Sequence, residues 1–383
     1  MQRSFVGLTS SSGWPEAHWM KSADRSVRAT QECLSLRIRI RYNLAPGQLL
    51  IMRAIVLDQQ RPIDSSPLEL REVPLPEPAA KQIRVKVHCC GLCHTDLHVT
   101  EGDLPPHKMP VIPGHQIVGT VEKNGAGASR FQNGDRVGIP WLHRTDGTCG
   151  FCLGGLENLC EHGQFTGYDV DGGYAEYAVV DEDFAYAIPP QFSDENAAPL
   201  FCAGIIGYRS YRLSGAKQGD RVGLYGFGAS AHIVIQFARY LGNDVYVFTR
   251  GENHRKHAEE LGAVWTGQAE DNPPKPLDAA IIFAPAGGLV VNALRATRKG
   301  GTVACAGIVM SEIPALDYRL LYEERVLRSV ANSTRQDARE FLELAAKVPI
   351  RTEVQIYPLG DTNRALQDLK HSRITGAGVV RIG

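Results

Sequence analysis

The chain of 383 residues has the length of two to three domains, since an average domain takes about 150 residues. It is 43% hydrophobic and 22% charged, values typical of a water-soluble globular protein with an ample core. Its 41 Lys and Arg residues almost balance its 42 Asp and Glu residues, so the net charge of -1 argues against bulk attraction to nucleic acid or an anionic membrane. No apolar run approaches the roughly 20 residues that span a bilayer, which excludes an integral membrane protein.

The nine cysteines are the unusual part of the composition. An odd number of cysteines in a long chain that opens with no secretory signal argues against a disulfide scaffold. We therefore expect reduced thiols in a cytoplasmic protein. Three of them lie close together between positions 149 and 160, which makes metal binding a hypothesis to test.

Residues 1–51 differ from the rest of the chain. They carry seven Lys and Arg residues against three acidic ones, and their apolar residues follow no period of 2 or 3.6. A regular pattern begins at Met52, so we expect residues 1–51 to be a disordered extension or an over-extended reading frame. An Arg- and Ser-rich leader is also compatible with an organelle transit peptide, although no clear amphipathic helix is present.

Short strands broken by Gly and Pro are predicted from Met52 to about residue 199. The clearest lie at 83–87, 117–121, 136–139 and 174–180. Turn signals such as Asn133-Gly134-Asp135 separate them, and this pattern predicts an antiparallel, barrel-like domain.

Three dispersed residues in and after this region suit a zinc ion. Cys93 follows a predicted strand, His115 comes later, and Cys202 stands where the pattern changes. Two thiolates and one imidazole leave a fourth position on zinc for water or substrate, whose oxygen the metal polarises as a Lewis acid. Spacing alone does not identify ligands so far apart, and a free cysteine is most often a small buried hydrophobic residue.

A second group of possible ligands lies within one loop. Its members are Asp146, Cys149, Cys152 and Cys160. Such close spacing exceeds what a small core needs, and a carboxylate can replace a thiolate on zinc, although it is a harder ligand. The loop is therefore predicted to bind a metal.

The pattern of predicted elements changes at about residue 203, where buried strands begin to alternate with helices. Strands are predicted at 222–225, 245–248, 279–283 and 302–306, with a helix at 230–241. This alternation indicates right-handed βαβ units and a parallel sheet between 203 and 330.

A glycine-rich turn of the form GxGxxA links the first of these strands to its helix. Gly226 permits the tight turn, Gly228 lets the backbone approach a pyrophosphate, and Ala231 lets the helix pack close to the strand. The helix N-terminus favours the phosphate charge. A glycine-rich turn alone is a weak signal, but its position between a strand and a helix predicts dinucleotide binding.

The end of the second strand bears on the choice between NAD and NADP. Phe248-Thr249-Arg250 carries no acidic residue that would hold the ribose 2′-OH of NAD. Thr249 and Arg250, with Arg255 and Lys256 nearby, suit a 2′-phosphate, so we expect NADP to be favoured over NAD. The alternative is that Arg250 simply faces solvent.

The tail after residue 330 contains one helix-like run, 335–347, and a closing strand near 378–382. It is short enough to complete the first domain. We therefore predict a catalytic domain formed by 52–202 and 331–383, and a nucleotide-binding domain at 203–330.

Taken in order, the motifs resemble those of the zinc-dependent alcohol dehydrogenases in the medium-chain dehydrogenase/reductase superfamily. They are CHTDLH at 93–98, PGHxxxG at 113–119, GDRV at 134–137, the cysteine loop, DGGYAEY at 171–177, AAPLFCAG at 197–204 and the dinucleotide turn. The resemblance runs from Met52 to the C-terminus. It implies an α/β protein with a GroES-like, mainly-β catalytic domain and a Rossmann domain with a doubly wound parallel sheet.

The resemblance also implies roles for individual residues. Cys93, His115 and Cys202 would hold the catalytic zinc, and the loop from Asp146 to Cys160 would hold a structural zinc. Thr95 would take the alcohol proton, and His98 would pass it to solvent.

Three further positions correspond to family sites. Asp96 would orient the ligand histidine, His94 would contact the cofactor pyrophosphate, and Trp141 would line the substrate pocket. His98 could instead be a surface histidine, and Trp141 a core residue.

Three positions depart from the family pattern. Gln116 replaces a glutamate beside the ligand histidine, which would slow turnover. Asp146 replaces the first structural cysteine, which would lower zinc affinity there. Ala377 replaces an arginine that touches the cofactor phosphates, which would weaken cofactor binding.

The leading hypothesis is thus a zinc-dependent, NAD(P)-linked alcohol dehydrogenase or aldehyde reductase for small to medium primary alcohols or aldehydes, acting as a homodimer or homotetramer. One alternative is a zinc-free quinone reductase of the same superfamily, which would have no use for the three dispersed zinc ligands. The other is a nucleotide-binding structural or regulatory protein that has lost catalysis, which only Gln116 favours.

Overall fold

Two large β-sheets organise the computed structural model, which describes residues 50–383. The predictions of a disordered extension or a transit peptide concern residues that lie almost wholly outside this range. The strands are β1 (Ile51–Leu57), β2 (Leu68–Pro74), β3 (Gln82–Gly91), β4 (Gln116–Asn124), β5 (Arg136–Ile139), β6 (Leu142–Arg144), β7 (Gln164–Phe165), β8 (Tyr177–Asp181), β9 (Tyr186–Ala187), β10 (Arg221–Tyr225), β11 (Asp244–Phe248), β12 (Trp265–Gly267), β13 (Leu277–Ile282), β14 (Thr297–Cys305), β15 (Val326–Ser329), β16 (Val354–Pro358) and β17 (Ala377–Arg381).

Helices connect and cover these sheets. They are α1 (His94–Glu101), α2 (Gly150–Leu153), α3 (Asp194–Ala197), α4 (Ala203–Ser214), α5 (Ala229–Tyr240), α6 (Glu252–Glu260), α7 (Gly288–Ala296), α8 (Arg319–Tyr322), α9 (Arg335–Ala345) and α10 (Thr362–Lys370). Among the described residues, no helix is both long enough and apolar enough to cross a bilayer.

The first large sheet has seven strands and is mainly antiparallel. Its order is β16-β17-β3-β4-β5-β9, and β8 pairs with β3 beside this path. The long strands β3 and β4 form its centre, and Gly91 at the end of β3 lies opposite Gln116 at the start of β4. The antiparallel pattern predicted from Met52 to about residue 199 is present in the pairings of β3, β4, β5, β8 and β9. The tail adds a parallel pair, β16 with β17, connected by α10.

The second large sheet is parallel throughout. Its strand order is β12-β11-β10-β13-β14-β15, so its first strand in sequence, β10, is central and the order reverses beside it. This is the doubly wound Rossmann order, in which ligands bind at the carboxyl ends of the strands near the reversal. The predicted fold class, a GroES-like mainly-β unit with a Rossmann sheet, is confirmed.

Two predicted elements need correction. The strand expected at 174–180 is divided, because the chain changes partner: Tyr174 O accepts from Ile55 N at 2.8 Å, and regular pairing with β3 begins only at Tyr177. The tail contains a second long helix, α10, besides α9. Its fully buried apolar residues are Ala365 and Leu366.

Phe201 joins the first sheet to the segment that leads into the Rossmann sheet. Its side chain is 1% exposed and lies over Gly138 of β5, where an added Cβ would be 2.0 Å from Phe201 Cζ. The absence of a side chain at residue 138 therefore leaves the space that the ring occupies. Since Phe201 directly precedes Cys202, this contact also determines where Cys202 lies.

Gly138→Ala should destabilise the protein by about 1–3 kcal/mol, because the new methyl group would overlap a ring that cannot move without disturbing the core. Gly360→Ala is the matched control, since an added Cβ there meets no atom within 4 Å. Urea unfolding of both variants measures the difference. Equal midpoints for the two variants would contradict the packing argument.

Candidate metal centre and nucleotide turn

The antiparallel pairing of β3 and β4 brings Cys93 close to His115. Cys93 lies two residues beyond Gly91 at the end of β3, and His115 lies one residue before Gln116 at the start of β4. Because Gly91 and Gln116 are register partners, the two ligand candidates meet at the same end of the sheet.

Cys202 completes a cluster with these two residues. It lies between a 3-10 turn, 198–201, and the first residue of α4, and its Sγ is 3.8 Å from Cys93 Sγ. The potential ligand atoms of Cys93, His115 and Cys202 all lie within 4.8 Å of one another. The structure therefore brings together three residues that the sequence separates widely.

The arrangement fits a zinc ion. Two thiolates bound about 2.3 Å from a tetrahedral zinc lie about 3.8 Å apart, which is the observed sulfur separation. His115 Nε2 is buried and has no hydrogen-bond partner among the described residues. Buried polar atoms are almost always partnered, so a metal at this position would satisfy the nitrogen.

Helix N-termini surround the two sulfurs. Cys93 is the N-cap of α1 and its Sγ accepts a hydrogen bond from Thr95 N at 3.4 Å, while Cys202 precedes α4. The unpaired amides at such positions stabilise a thiolate. The contact with Cys202 lowers the pKa of the Cys93 thiol.

A buried carboxylate holds the histidine in place. Asp96 Oδ1 accepts a hydrogen bond from His115 Nδ1 at 2.9 Å, and Asp96 Oδ2 accepts from Cys93 N at 2.8 Å. Burial alone would lower the pKa of His115, but the adjacent Asp96 and Cys93 raise it to about 10. With Nδ1 committed to Asp96, Nε2 is the nitrogen that faces the two sulfurs.

Helix α1 also carries the residues predicted to move the proton. Thr95 is 9% exposed and its Oγ1 lies 3.5 Å from Cys93 Sγ. His98, one turn further along, donates from Nδ1 to Asp103 Oδ2 at 2.7 Å. His94 is the first residue of α1 and is exposed.

Asp103, which holds His98, is not among the residues predicted from the sequence. Gly102 ends α1 in a left-handed conformation, with φ of +94°, and turns the chain so that Asp103 reaches back to His98. The available signal was a glycine followed by an acidic residue directly after the helix. The second missed residue is Tyr174, whose hydroxyl donates to Asp96 Oδ2 at 3.0 Å.

Trp141 lies beside the metal ligands in an aromatic stack. Its ring is edge-on to His115, with centroids 4.9 Å apart, and lies nearly parallel to Phe165 and Tyr168 at 5.3 and 5.8 Å. Only 8% of Trp141 is exposed. The structure thus places this residue both in the core and next to the candidate metal centre.

Gln116 and Ala377, two of the positions that differ from the family pattern, are both buried. Gln116 is 2% exposed and folds over Gly91, where an added Cβ would be 3.0 Å from its Oε1. Its side chain brings no charge to the cluster. Ala377 is 4% exposed at the start of β17, in the first large sheet, and carries no charge.

The cysteine loop forms a second cluster. The potential ligand atoms of Asp146, Cys149, Cys152 and Cys160 lie within 4.8 Å of one another. Asp146 Oδ1 accepts from the amides of Thr148 and Cys149 at 2.8 and 2.9 Å, and Oδ2 accepts from His162 Nδ1 at 2.9 Å. Hydrogen bonds from the two amides, and to a smaller extent from His162, hold the pKa of Asp146 below its usual range. The carboxylate is therefore charged, as a metal ligand must be.

The glycine-rich turn has the geometry of a phosphate cradle. It directly follows β10, and Gly226 has φ of +88°, which a residue with a side chain rarely adopts. An added Cβ on Gly228 would meet no protein atom within 4 Å, so the backbone there is open to a ligand. Ala231 is fully buried at the start of α5, whose N-terminus faces the turn.

Cations without acidic partners cluster at the end of β11. Thr249 is buried and Arg250 is exposed. Within residues 50–383, neither Arg250, Arg255 nor Lys256 forms a salt bridge, and Arg255 Nη1 only approaches the carbonyl oxygens of Thr249 and Arg250 at 3.5 Å. No salt bridge thus ties these three cations to an acidic side chain, and Glu252, Glu259 and Glu260 on α6 carry an equal number of negative charges.

A Rossmann sheet with an open glycine turn, together with a Cys-His-Cys cluster suited to zinc, defines a metal-dependent dehydrogenase. Two models of known protein families match this chain and agree with that class. The model for the alcohol dehydrogenase GroES-like domain matches residues 79–190, and the model for the zinc-binding dehydrogenase matches residues 231–347.

Two curated relatives match over nearly their whole length. The probable alcohol dehydrogenase AdhA of Mycobacterium tuberculosis (strain CDC 1551 / Oshkosh) is 49% identical over 345 residues, which are 88% of this chain and 100% of the relative. An alcohol dehydrogenase of Geobacillus stearothermophilus is 35% identical over 341 residues, which are 86% of this chain and 100% of the relative. The chain belongs to the zinc-binding alcohol dehydrogenase family of medium-chain dehydrogenases/reductases.

A solved structure shows the same fold. The cobalt- and zinc-bound thermostable alcohol dehydrogenase from Pyrobaculum aerophilum has a TM-score of 0.79 at 26% identity, with 87% of this chain and 100% of that chain covered. The predicted family and reaction class, an NAD(P)-linked alcohol dehydrogenase, are thus confirmed. The quinone reductase and the non-catalytic protein are not favoured.

The two clusters predict separate zinc sites of different strength. The Cys202→Ser variant should lose the zinc held with Cys93 and His115 and keep the zinc of the cysteine loop. Asp146→Ala should lose the loop zinc and keep the zinc at Cys93, His115 and Cys202. Asp146→Cys should retain loop zinc at chelator concentrations that strip the wild type, because a thiolate is the softer ligand. Zinc per chain after dialysis against EDTA is the measurement, and unchanged zinc in Asp146→Ala would contradict the loop assignment.

Proposed function

We propose that the chain interconverts small to medium primary alcohols and their aldehydes, with the catalytic zinc held by Cys93, His115 and Cys202. The single observation that carries this proposal is the convergence of two sulfurs 3.8 Å apart with the unpartnered Nε2 of a buried histidine. A family membership shared with alcohol dehydrogenases supports the reaction class.

When bound, zinc supplies Lewis acidity toward the substrate oxygen, and the nicotinamide ring accepts or supplies the hydride. The protein's own residues orient these partners and handle the proton. Asp96 fixes the ring of His115, so that Nε2 points into the cluster. Thr95, next to Cys93 Sγ, would relay the proton: as Oγ1 takes up the alcohol proton during oxidation, its own hydroxyl proton would move on toward His98, and the reverse would occur during reduction.

His98 continues the proton path toward solvent. It lies three residues after Thr95, on the same face of α1. Asp103 accepts a hydrogen bond from His98 Nδ1, so Nδ1 carries the hydrogen. The other ring nitrogen, Nε2, is therefore the one that can take up a proton. Asp103 thus selects the tautomer that the relay requires.

Trp141 would form one wall of the substrate pocket. Its ring is held by stacking on Phe165 and Tyr168, so it cannot readily move aside for a substrate. A rigid wall beside His115 would disfavour large branched alcohols.

The nucleotide would bind with its pyrophosphate at Gly226, Gly228 and Ala231 and with His94 beside it. We propose NADP as the preferred form, because Thr249 and Arg250 offer a hydroxyl and a free guanidinium at the strand end that binds the adenosine ribose. Because Ala377 stands where the family has an arginine near the pyrophosphate, nucleotide binding would depend more strongly on Thr249 and Arg250.

We also propose a division into domains, a structural zinc and an oligomeric state. Residues 52–202 with 331–383 would act as the catalytic domain and 203–330 as the nucleotide-binding domain, with a structural zinc in the loop from Asp146 to Cys160. A cytoplasmic homodimer or homotetramer is proposed, in keeping with the free cysteines of the described residues and the family.

Cys202→Ala should reduce the rates of alcohol oxidation and aldehyde reduction by about a thousandfold or more, since the metal lowers the activation barrier by several kcal/mol. Nucleotide binding should persist, because Cys202 is not part of the glycine turn. Assays on a panel of alcohols and aldehydes and a nucleotide titration measure the two properties. Cys305→Ala, a half-buried cysteine outside both clusters, is the control. Activity that survives in Cys202→Ala would show that the ligand assignment is wrong.

Arg250→Ala should raise the KM for NADPH by roughly ten- to hundredfold, because one charge-assisted hydrogen bond to a phosphate is lost, and should leave the KM for NADH almost unchanged. Arg295→Ala removes an exposed arginine from α7 and serves as the control. Initial rates with both nucleotides give the comparison. A preference for NADH in the wild type that persists in Arg250→Ala would reverse the NADP assignment.

A further inference from the structure

Tyr174 is a fully buried side chain whose hydroxyl ends at the candidate metal centre. It is 0% exposed, and its Oη donates to Asp96 Oδ2 at 3.0 Å. Its other oxygen neighbour, Gly91 O, is 3.5 Å away. The proton path proposed above does not use this residue.

The backbone around Tyr174 is fixed from two sides. Its carbonyl accepts from Ile55 N at 2.8 Å, and its amide donates to Pro113 O at 3.0 Å. The ring lies against Gly114, where an added Cβ would be 2.8 Å from Tyr174 Cδ1. Tyr174 therefore packs on the residue directly before His115 and has little freedom to turn its hydroxyl elsewhere.

The hydrogen bonds of Asp96 divide between its two oxygens. Oδ2 accepts from Cys93 N and Tyr174 Oη, and Oδ1 accepts from His115 Nδ1. A carboxylate held by only one donor at Oδ2 could rotate about its terminal bond. With two donors from different directions, Oδ1 is directed at the histidine.

We propose that Tyr174 is a positioning residue for the metal: by holding Asp96 Oδ2, it orients Oδ1 toward His115 and thereby aims His115 Nε2 at the position between Cys93 and Cys202. This inference rests on the proposed zinc site. The chain of contacts runs from Tyr174 through Asp96 to His115, each link at 3.0 Å or less. Partners of this kind tune metal affinity without touching the metal.

Tyr174→Phe removes only the hydroxyl and tests the proposal. Zinc affinity of the full chain, measured by competition with a chromogenic chelator, should fall about ten- to hundredfold at the site that Cys202→Ser removes. The visible absorption of the Co²⁺-loaded protein, which reports ligand geometry, should shift as well. The zinc of the loop from Asp146 to Cys160 should be retained as in the wild type.

Tyr357→Phe is the matched control. Tyr357 is also buried, and its Oη also donates to an aspartate, Asp368 Oδ2, at 3.0 Å, but on α10 rather than at the cluster. Tyr357 Oη also accepts from Gln355 Nε2 at 2.6 Å, so the melting temperature of the metal-free form should fall at least as far in Tyr357→Phe as in Tyr174→Phe. Only Tyr174→Phe should change zinc affinity and the cobalt spectrum.

The outcomes separate this proposal from the proposed function. Wild-type zinc affinity and an unchanged cobalt spectrum in Tyr174→Phe would overturn the positioning role while leaving the zinc site intact. A wild-type protein that holds no zinc sensitive to Cys202→Ser would overturn both. Equal loss of zinc in Tyr174→Phe and Tyr357→Phe would show general destabilisation and would also overturn the positioning role.

Discussion

The buried carboxylate of Asp96 is the group on which the active region depends. It caps the first turn of α1 through Cys93 N, holds His115 through Oδ1 and receives the hydroxyl of Tyr174. A charge 2% exposed is tolerated because every one of these contacts satisfies it. The same side chain therefore stabilises the helix that carries Thr95 and orients the histidine that faces the two sulfurs.

A second constraint places Cys202, the third of the proposed zinc ligands. Phe201 fills the space above Gly138, and this contact anchors Cys202 at the start of α4. Helix α4 then packs closely on α5, where an added Cβ on Gly207 would be 2.6 Å from Val234 Cγ2. The metal cluster and the helix that follows the nucleotide turn are thus parts of one continuous packing arrangement, which suits a reaction between a substrate at one and a cofactor at the other.

The departures from the family pattern change charge rather than architecture. Gln116 fits beneath the cluster as a neutral side chain, and Ala377 keeps its place in β17 without offering a cation. Asp146 in the loop accepts hydrogen bonds from two backbone amides and from His162. Arg250, Arg255 and Lys256, near the end of β11, form no salt bridge within residues 50–383, and the proposed preference for NADP rests on Arg250 being free.

The sequence by itself determined the local parts of this protein. The segments 93–98, 146–160 and 226–231 each carry their chemistry within a few residues, and a strand followed by a glycine turn and a helix is recognisable without knowledge of the rest of the chain. Only the tertiary structure decided that Cys202 meets Cys93, that Tyr174 reaches Asp96, and that the run at 174–180 is shared between two partners. These contacts depend on the register of β3 with β4 and on the packing of Phe201. Neither leaves a periodic pattern in the chain, because the residues that meet are far apart in sequence.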